Sequence, residues 1–348
     1  MPFANCAQQA GRIKPCPAST HPEFNLFRSS RLGESEHAVT ESNLTPFRFQ
    51  YLVYGLSVAL PFPLPGLIPR PNDTAADIII RFGDVPVGLE RIEAAGARFQ
   101  AAPGKLLAWV DGVGRYLVLN GREIVIHPAP EAQEDDVRVL LLGSPFGALL
   151  HQRGMLLVHA SVVATEQGAI LLMGTSGVGK SSLAALLSRR GFHCLSDDIA
   201  AVTIDPNGTP RVHPGLPQLH LWPDVLSTLG ESLDSLVRLR PKIGKRTLPL
   251  GDRFTANSQP IARIYHLETD GKSSELSLSA LGPAKKVEAL VDQTYRTEFL
   301  KGLGVRAAHF SLVARTAAKV PVFRLVRPDD EKLRLTEVAD FLIQHLSP

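Results

Sequence analysis

Eight consecutive residues, Gly174-Thr175-Ser176-Gly177-Val178-Gly179-Lys180-Ser181, have the types and spacing of a loop that cradles phosphate. Glycines let the backbone turn so that successive N–H groups face an anion. The helix that comes next offers its N-terminus to the same charge. Lys180 is placed to reach β- and γ-phosphates and Ser181 to ligate Mg²⁺, with Ser182 beside it in the nucleotide-binding set. The alternative is a glycine-rich turn carrying an ordinary surface lysine. Against it, an apolar strand predicted at 169–173 runs into the loop and a helix predicted at 181–190 runs out of it. The expected ligand is a nucleoside triphosphate with magnesium.

Asp197-Asp198 comes after one helix, one turn and one apolar strand. Carboxylates at a strand end beside such a loop can bind Mg²⁺ or take a proton from a hydroxyl. Adjacent strand residues point opposite ways, so one carboxylate is expected to face the nucleotide and the other to brace the sheet. The competing reading is a solvated turn start. His159 lies on the strand before the one feeding the loop. A lone histidine on an apolar strand is ordinarily a satisfied core residue, but a hairpin here folds it back toward the loop, and geometry leaves the two readings level.

These residues need elements to hold them. A strand at 155–164, a turn at 165–168 and a strand at 169–173 form a hairpin, because a parallel crossover needs a dozen residues or more. Gly191 is placed to end the helix after the loop. Strands at 193–196 and 200–204 flank the Asp pair, with a turn at 205–208. Further on, the pattern predicts strands at 261–268 and 322–326, helices near 284–291 and 305–318, and a closing amphipathic helix at 331–345. Upstream, a β-prone stretch at 47–60 and short strands at 77–82, 97–101, 106–110, 116–119 and 123–127 predict a small β-rich domain. Its apolar residues read as core. A helical stretch at 134–153 is divided by Pro145. The resulting division is 1–45 poorly ordered, 46–130 a β-rich N-terminal domain, and 131–348 the domain carrying the loop.

Composition bounds the classes. Of 348 residues, 44% are hydrophobic and 20% charged, the balance of a soluble globular protein. The net charge of +3 and the scattered Lys and Arg argue against nucleic acid. No apolar run is long enough to span a bilayer, and no secretory pattern opens the chain, so a cytoplasmic protein without a membrane partner is expected. Cys6, Cys16 and Cys194 lack metal-ligand spacing. A basic segment, Arg238, Arg240, Lys242, Lys245 and Arg246, reads as an irregular loop, either solvated surface or a binder of phosphate or acidic peptide.

Val158-His159-Ala160, the loop 174–181 and Leu195-Ser196-Asp197-Asp198 together resemble the C-terminal catalytic domain of the HPr kinase/phosphorylase family. These bacterial serine kinases are related in fold to phosphoenolpyruvate carboxykinase. The spacing agrees, with 15 residues from His159 to Gly174 and 17 from Ser181 to Asp198. The likeness is good over 156–202 and loose thereafter. It implies an α/β P-loop kinase domain of the carboxykinase-like type with a mixed sheet, preceded by the smaller β-rich domain. It also implies ATP and Mg²⁺ held by Lys180 and Ser181, Asp198 as a metal ligand and proton acceptor, His159 supporting it, and Asp197 nearby. The family's acidic, Arg-Gly-containing signature is not matched by 212–217, which contains neither Glu nor Arg. A second metal-associated Glu therefore has no equivalent, and a phosphorylase activity is left open. The chain looks more like the stand-alone HPr-kinase-like proteins of peptide maturation, including lasso-peptide kinases.

The expected function is transfer of the γ-phosphoryl of ATP to a Ser or Thr hydroxyl of a peptide or protein, with the β-rich domain helping to hold the acceptor. The rivals are an ATP-binding regulatory protein without transfer and a small-molecule kinase. A GTPase switch is disfavoured by the lack of an Asn-Lys-x-Asp motif. The acceptor, the base of the nucleotide and any homo-oligomer are not set by the sequence.

Overall fold

In the computed structural model the described residues are 47–71, 75–240, 243–270, 275–328 and 335–346. The expectation for 1–45 falls outside them, as do Cys6, Cys16 and Lys242. The described residues all belong to one compact unit.

The first nine strands are β1 (Phe49–Val53), β2 (Leu56–Leu60), β3 (Ile68–Pro69), β4 (Ile78–Phe82), β5 (Ala94–Gly96), β6 (Phe99–Ala102), β7 (Lys105–Val110), β8 (Gly114–Leu119) and β9 (Glu123–Pro128). They form one sheet in the order β3-β1-β2-β4-β9-β8-β7-β6-β5. Among the described residues of this sheet, only β2/β4 and β4/β9 pair in parallel. Two helices come next, α1 (Glu134–Leu141) and α2 (Ser144–Gln152). Pro145 opens the second helix, where its missing N–H costs nothing.

The remaining strands are β10 (Leu156–Val158), β11 (Ala160–Thr165), β12 (Gly168–Gly174), β13 (His193–Ser196), β14 (Ala200–Ile204), β15 (Pro210–His213), β16 (Gln218–Leu221), β17 (Arg238–Arg240), β18 (Ile243–Pro249), β19 (Gln259–Asp270), β20 (Ser277–Ala280) and β21 (Val322–Pro328). Interleaved with them are α3 (Lys180–Arg189), α4 (Pro223–Thr228), α5 (Pro283–Asp292), α6 (Phe299–Gly302), α7 (Arg306–Lys319) and α8 (Leu335–Leu346). A second nine-stranded sheet runs β10-β14-β15-β19-β12-β11-β13, extended from β19 by β21 and β20. Its parallel pairings are β12/β19 and β19/β21. Both sheets are thus mixed, and the architecture is α/β.

The expected hairpin is present: β11 and β12 pair antiparallel from Ala160↔Met173 to Thr165↔Gly168. Every residue of β12 is buried because both faces are covered. Ile170 and Leu172 join a core with Leu183 and Leu187 of α3 and Leu342 of α8. Ala169, Leu171 and Met173 join another with Leu290 of α5 and Val313 of α7.

Two expectations need correction. The strand predicted at 155–164 is broken at His159: β10 pairs with β14, whereas β11 pairs with β12 and β13. The basic segment is not an irregular loop, since β17 and β18 pair and continue to β16 as a three-stranded sheet.

The first sheet shares its core with the rest of the chain. Tyr54, Ile80 and Tyr116 belong to a cluster that also contains Phe146 of α2, Leu157, Ile199, Leu216 and Phe299. Contact is close. A Cβ on Gly302 would lie 2.5 Å from the Cβ of Ala101, so α6 rests on β6 only because that residue is glycine.

Candidate active site

The loop between β12 and α3 is shaped by residues that only glycine satisfies. Gly174 has φ 148°, and a Cβ there would stand 2.5 Å from the carbonyl oxygen of Leu267 on the parallel neighbour β19. Gly179, with φ 104°, is the left-handed residue that starts α3. Lys180 is the first helical residue and is buried; its Nζ donates to the carbonyls of Gly174 at 2.8 Å and Thr175 at 3.0 Å. Burial lowers its pKa, opposed by Asp197 and Asp198.

Across from the helix start lies the Asp pair, just beyond β13. Asp197 is buried and accepts three hydrogen bonds: from Ser161 Oγ of β11 at 2.6 Å, from Ser181 Oγ of α3 at 2.9 Å, and from the backbone N–H of His220 on β16 at 3.0 Å. Asp198 has φ 64°. This left-handed residue ends the strand alternation, so the expectation that the two carboxylates point opposite ways fails. Both converge on His220, whose Nδ1 lies 2.9 Å from Asp198 Oδ2. The hydroxyl of Ser181 therefore meets Asp197, not Asp198.

Electrostatics separate the pair. Burial, then the neighbouring Asp198 charge, raises the Asp197 pKa. Burial would also raise Asp198, but the hydrogen bond and charge of His220, together with Lys245 and His159, outweigh it and hold this carboxyl low, at about 2. The two neighbouring carboxyls are thus pushed in opposite directions.

The break in the strand at His159 turns its ring to the same place. Its Nδ1 lies 3.0 Å from the backbone carbonyl of Asp198, so the ring supports that residue through the main chain and not through its carboxylate. Its backbone N–H donates to Gln293 O at 2.7 Å, and its ring stacks on Tyr295 with centroids 6.5 Å apart. Burial and the nearby Lys180 charge lower its pKa, favouring neutral imidazole. His159, Thr175, Ser176, Asp292, Tyr295 and Arg296 line a cleft of about 350 Å³. Arg296 also has positive φ, 53°.

Of the remaining expected residues, Gly177 (φ 88°), Val178 and Ser182 lie on the loop and the first turn of α3. Of the basic segment, Lys245 contributes its charge to the site and sits 5.9 Å over the Trp222 ring, whereas Arg246 donates to Leu236 O. Cys194 is buried, and burial pushes its thiol up to about 12.

The sequence missed His220 and Tyr54. His220 sits on β16, where buried Leu219 and Leu221 alternate with half-buried Gln218 and His220. That period of two was the available signal. Tyr54 comes from the β1/β2 turn and is buried; burial, then the charges of Tyr295 and Asp198, raises its pKa. Nothing local in the sequence marks it.

One ligand atom from each of Asp197, Asp198 and His220 lies within 4.8 Å of the others. With the Ser181 hydroxyl beside Asp197, the donor set of carboxylates, hydroxyl and imidazole fits a divalent cation.

No family model matches the chain, and no curated protein matches it. Among solved structures, the Hpr(Ser) kinase/phosphatase from Coxiella burnetii is similar over 54% of this chain and 94% of that chain, with 12% identity and a TM-score of 0.30. That is a distant likeness. Among the described residues no helix is long and apolar enough to cross a membrane.

Proposed function

We propose that this chain transfers the γ-phosphoryl group of ATP to a Ser or Thr hydroxyl of a peptide or protein. The transfer would take place on a carboxykinase-like P-loop domain at 131–348, preceded by a β-rich domain at 46–130. The observation that carries the reading is a convergence. Lys180 is bonded to the carbonyls of a glycine-shaped loop, Ser181 beside it donates to Asp197 from the next strand end, and Asp198 joins Asp197 through His220. Cytoplasmic ATP supplies the donor, and peptide maturation of the lasso-peptide kind is the fitting context.

Each residue has a task. The N–H groups of 174–181 and the start of α3 bind the phosphates. The Lys180 ammonium, released from the loop carbonyls, neutralises charge on the transferring group. Mg²⁺, when bound by Ser181, Asp197 and Asp198, supplies further neutralisation of the phosphate oxygens. Asp198, held ionised, accepts the hydrogen bond of the acceptor hydroxyl and then its proton. A weakly basic carboxylate suffices because the transition state is loose and positioning dominates. His159 positions Asp198 through its carbonyl and walls the cleft by which the acceptor arrives.

A second reading, a small-molecule acceptor, is favoured by that cleft's volume of about 350 Å³, at the lower end of small-ligand pockets. Mass spectrometry of peptides and small hydroxyl compounds incubated with the protein and Mg-ATP separates the two. Asp198→Asn is expected to keep ATP binding while transfer falls by roughly 10²- to 10⁴-fold. Transfer at the wild-type rate in Asp198→Asn removes that residue from the chemistry.

A further inference from the structure

A hydrogen-bonded chain runs from the Asp pair through His220 to Gln218. The backbone N–H of His220 donates to Asp197 Oδ2, which fixes the residue at the site. Its Nδ1 stands 2.9 Å from Asp198 Oδ2. Its Nε2 stands 3.1 Å from Gln218 Nε2. Facing a carboxylate, Nδ1 carries the proton; facing an amide NH₂, Nε2 accepts. The His220 side chain is only 12% exposed.

We propose that His220 is a metal ligand, and that it tunes the site toward a borderline transition-metal ion such as Mn²⁺ over Mg²⁺. This rests on the phosphoryl-transfer reading only for the nucleotide that would share the ion.

Spacing supports it. Adjacent ligands on an octahedral ion with bonds of about 2.1 Å lie about 3 Å apart. The observed 2.9 Å between Nδ1 and Oδ2 matches that distance, and all three ligand atoms lie within 4.8 Å of one another, so small side-chain shifts bring them inside the roughly 4.2 Å span of opposite ligands. A cation bound to both atoms would displace the shared proton and stand to one side of the line between them, with ring and carboxylate turning toward it. The chemistry of the donors sets the preference. Mg²⁺ favours oxygen and keeps its waters, whereas imidazole nitrogen suits later first-row ions.

Proton accounting is consistent. Binding at Nδ1 moves the ring proton to Nε2, which then needs an acceptor. Gln218 provides one by turning its amide to present Oε1 where Nε2 now sits. A residue of this kind, able to serve either tautomer, is what a histidine that alternates between proton and metal requires. The Nδ1 proton leaves to solvent when the ion enters, and Nε2 takes one up in exchange.

The test uses the full chain without nucleotide. Mn²⁺ and Mg²⁺ are titrated by calorimetry, and bound Mn²⁺ is probed for ¹⁴N coupling by pulsed electron paramagnetic resonance. Expected results are a ¹⁴N coupling in the wild type, tighter binding of Mn²⁺ than Mg²⁺ by about tenfold or more, and loss of both in a folded His220→Gln variant. Gln218→Met is expected to weaken Mn²⁺ by about tenfold while the coupling persists. The inference is overturned by wild-type Mn²⁺ binding without ¹⁴N coupling, by coupling that survives in His220→Gln and so comes from His159, or by equal affinity for the two ions. A parallel ATP titration keeps the two proposals apart. ATP binding without nitrogen coupling defeats this inference alone; nitrogen coupling without ATP binding supports it and defeats the kinase reading.

Discussion

The two large sheets are built alike and differ in where they break their own rules. Each has nine strands and two parallel pairings. In the first sheet the non-glycine residues of positive φ are Tyr54 and Asn120, each preceding a glycine in a tight turn. Such left-handed pairs match the twist of the strands they join, so the strain has a local purpose. Beyond the first sheet, the described non-glycine residues of positive φ are Asp198 and Arg296. Neither sits in a hairpin turn. Asp198 carries a carboxylate of the pair, and Arg296 lines the cleft. A left-handed non-glycine residue costs on the order of 1–3 kcal/mol, and here it accompanies a cluster of polar side chains. Irregularity closes turns in the first sheet and lies beside the carboxylate pair and the cleft elsewhere.

The regions are nevertheless joined, and acid offers the largest expected effect on that joint. His151 lies in α2, which packs on β7, β8, β9 and β10, and it is buried. Its Nε2–H donates to Tyr295 O at 2.8 Å, behind the cleft. Burial lowers its pKa from 6.5 to about 4. Between those values the unfolded chain binds the proton and the folded chain does not, so stability rises with pH. Falling from about pH 6.5 to 4, the protein should lose roughly 3 kcal/mol through this residue. Denaturation at several pH values, compared with His151→Gln, measures it. A common transition, seen both by fluorescence and by ATP binding, is expected. Separate transitions would break the joint between the sheets, and an unchanged pH slope in the variant would clear His151.

A smaller effect sharpens the contrast itself. Arg296→Gly should relieve the left-handed backbone and stabilise the fold by about 0.5–1 kcal/mol, while lowering transfer by loss of a cleft side chain. The denaturation midpoint and the rate are read on the same sample. Destabilisation with full activity would mean that Arg296 serves the fold and not the cleft.

The loop and its flanking elements were legible because their signal is local. Glycines at 174, 177 and 179, a buried strand before them and an amphipathic helix after them all lie within about twenty residues. The hairpin was legible from the shortness of the link at 165–168. The strand break at His159 was not, since the run Met155–Ala164 is mostly apolar and a change of partner leaves no mark on composition. His220 was missed for a related reason: it reaches Asp198 across 22 residues of chain and through strand pairing. The convergence of both carboxylates depends on one dihedral, φ of Asp198, which alternation rules cannot supply. Tyr54 reaches the site from a different sheet, a contact set entirely by packing.

The kinase reading stands or falls with the loop at 174–181 as a triphosphate site. Calorimetric titration of Mg-ATP into the full chain and into Lys180→Ala, with a melting curve for each, tests it most directly. Binding by the wild type, and loss of most of that affinity in a variant that melts like the wild type, is the predicted result. Equal ATP affinity in a folded Lys180→Ala protein, or no binding by the wild type, would contradict it.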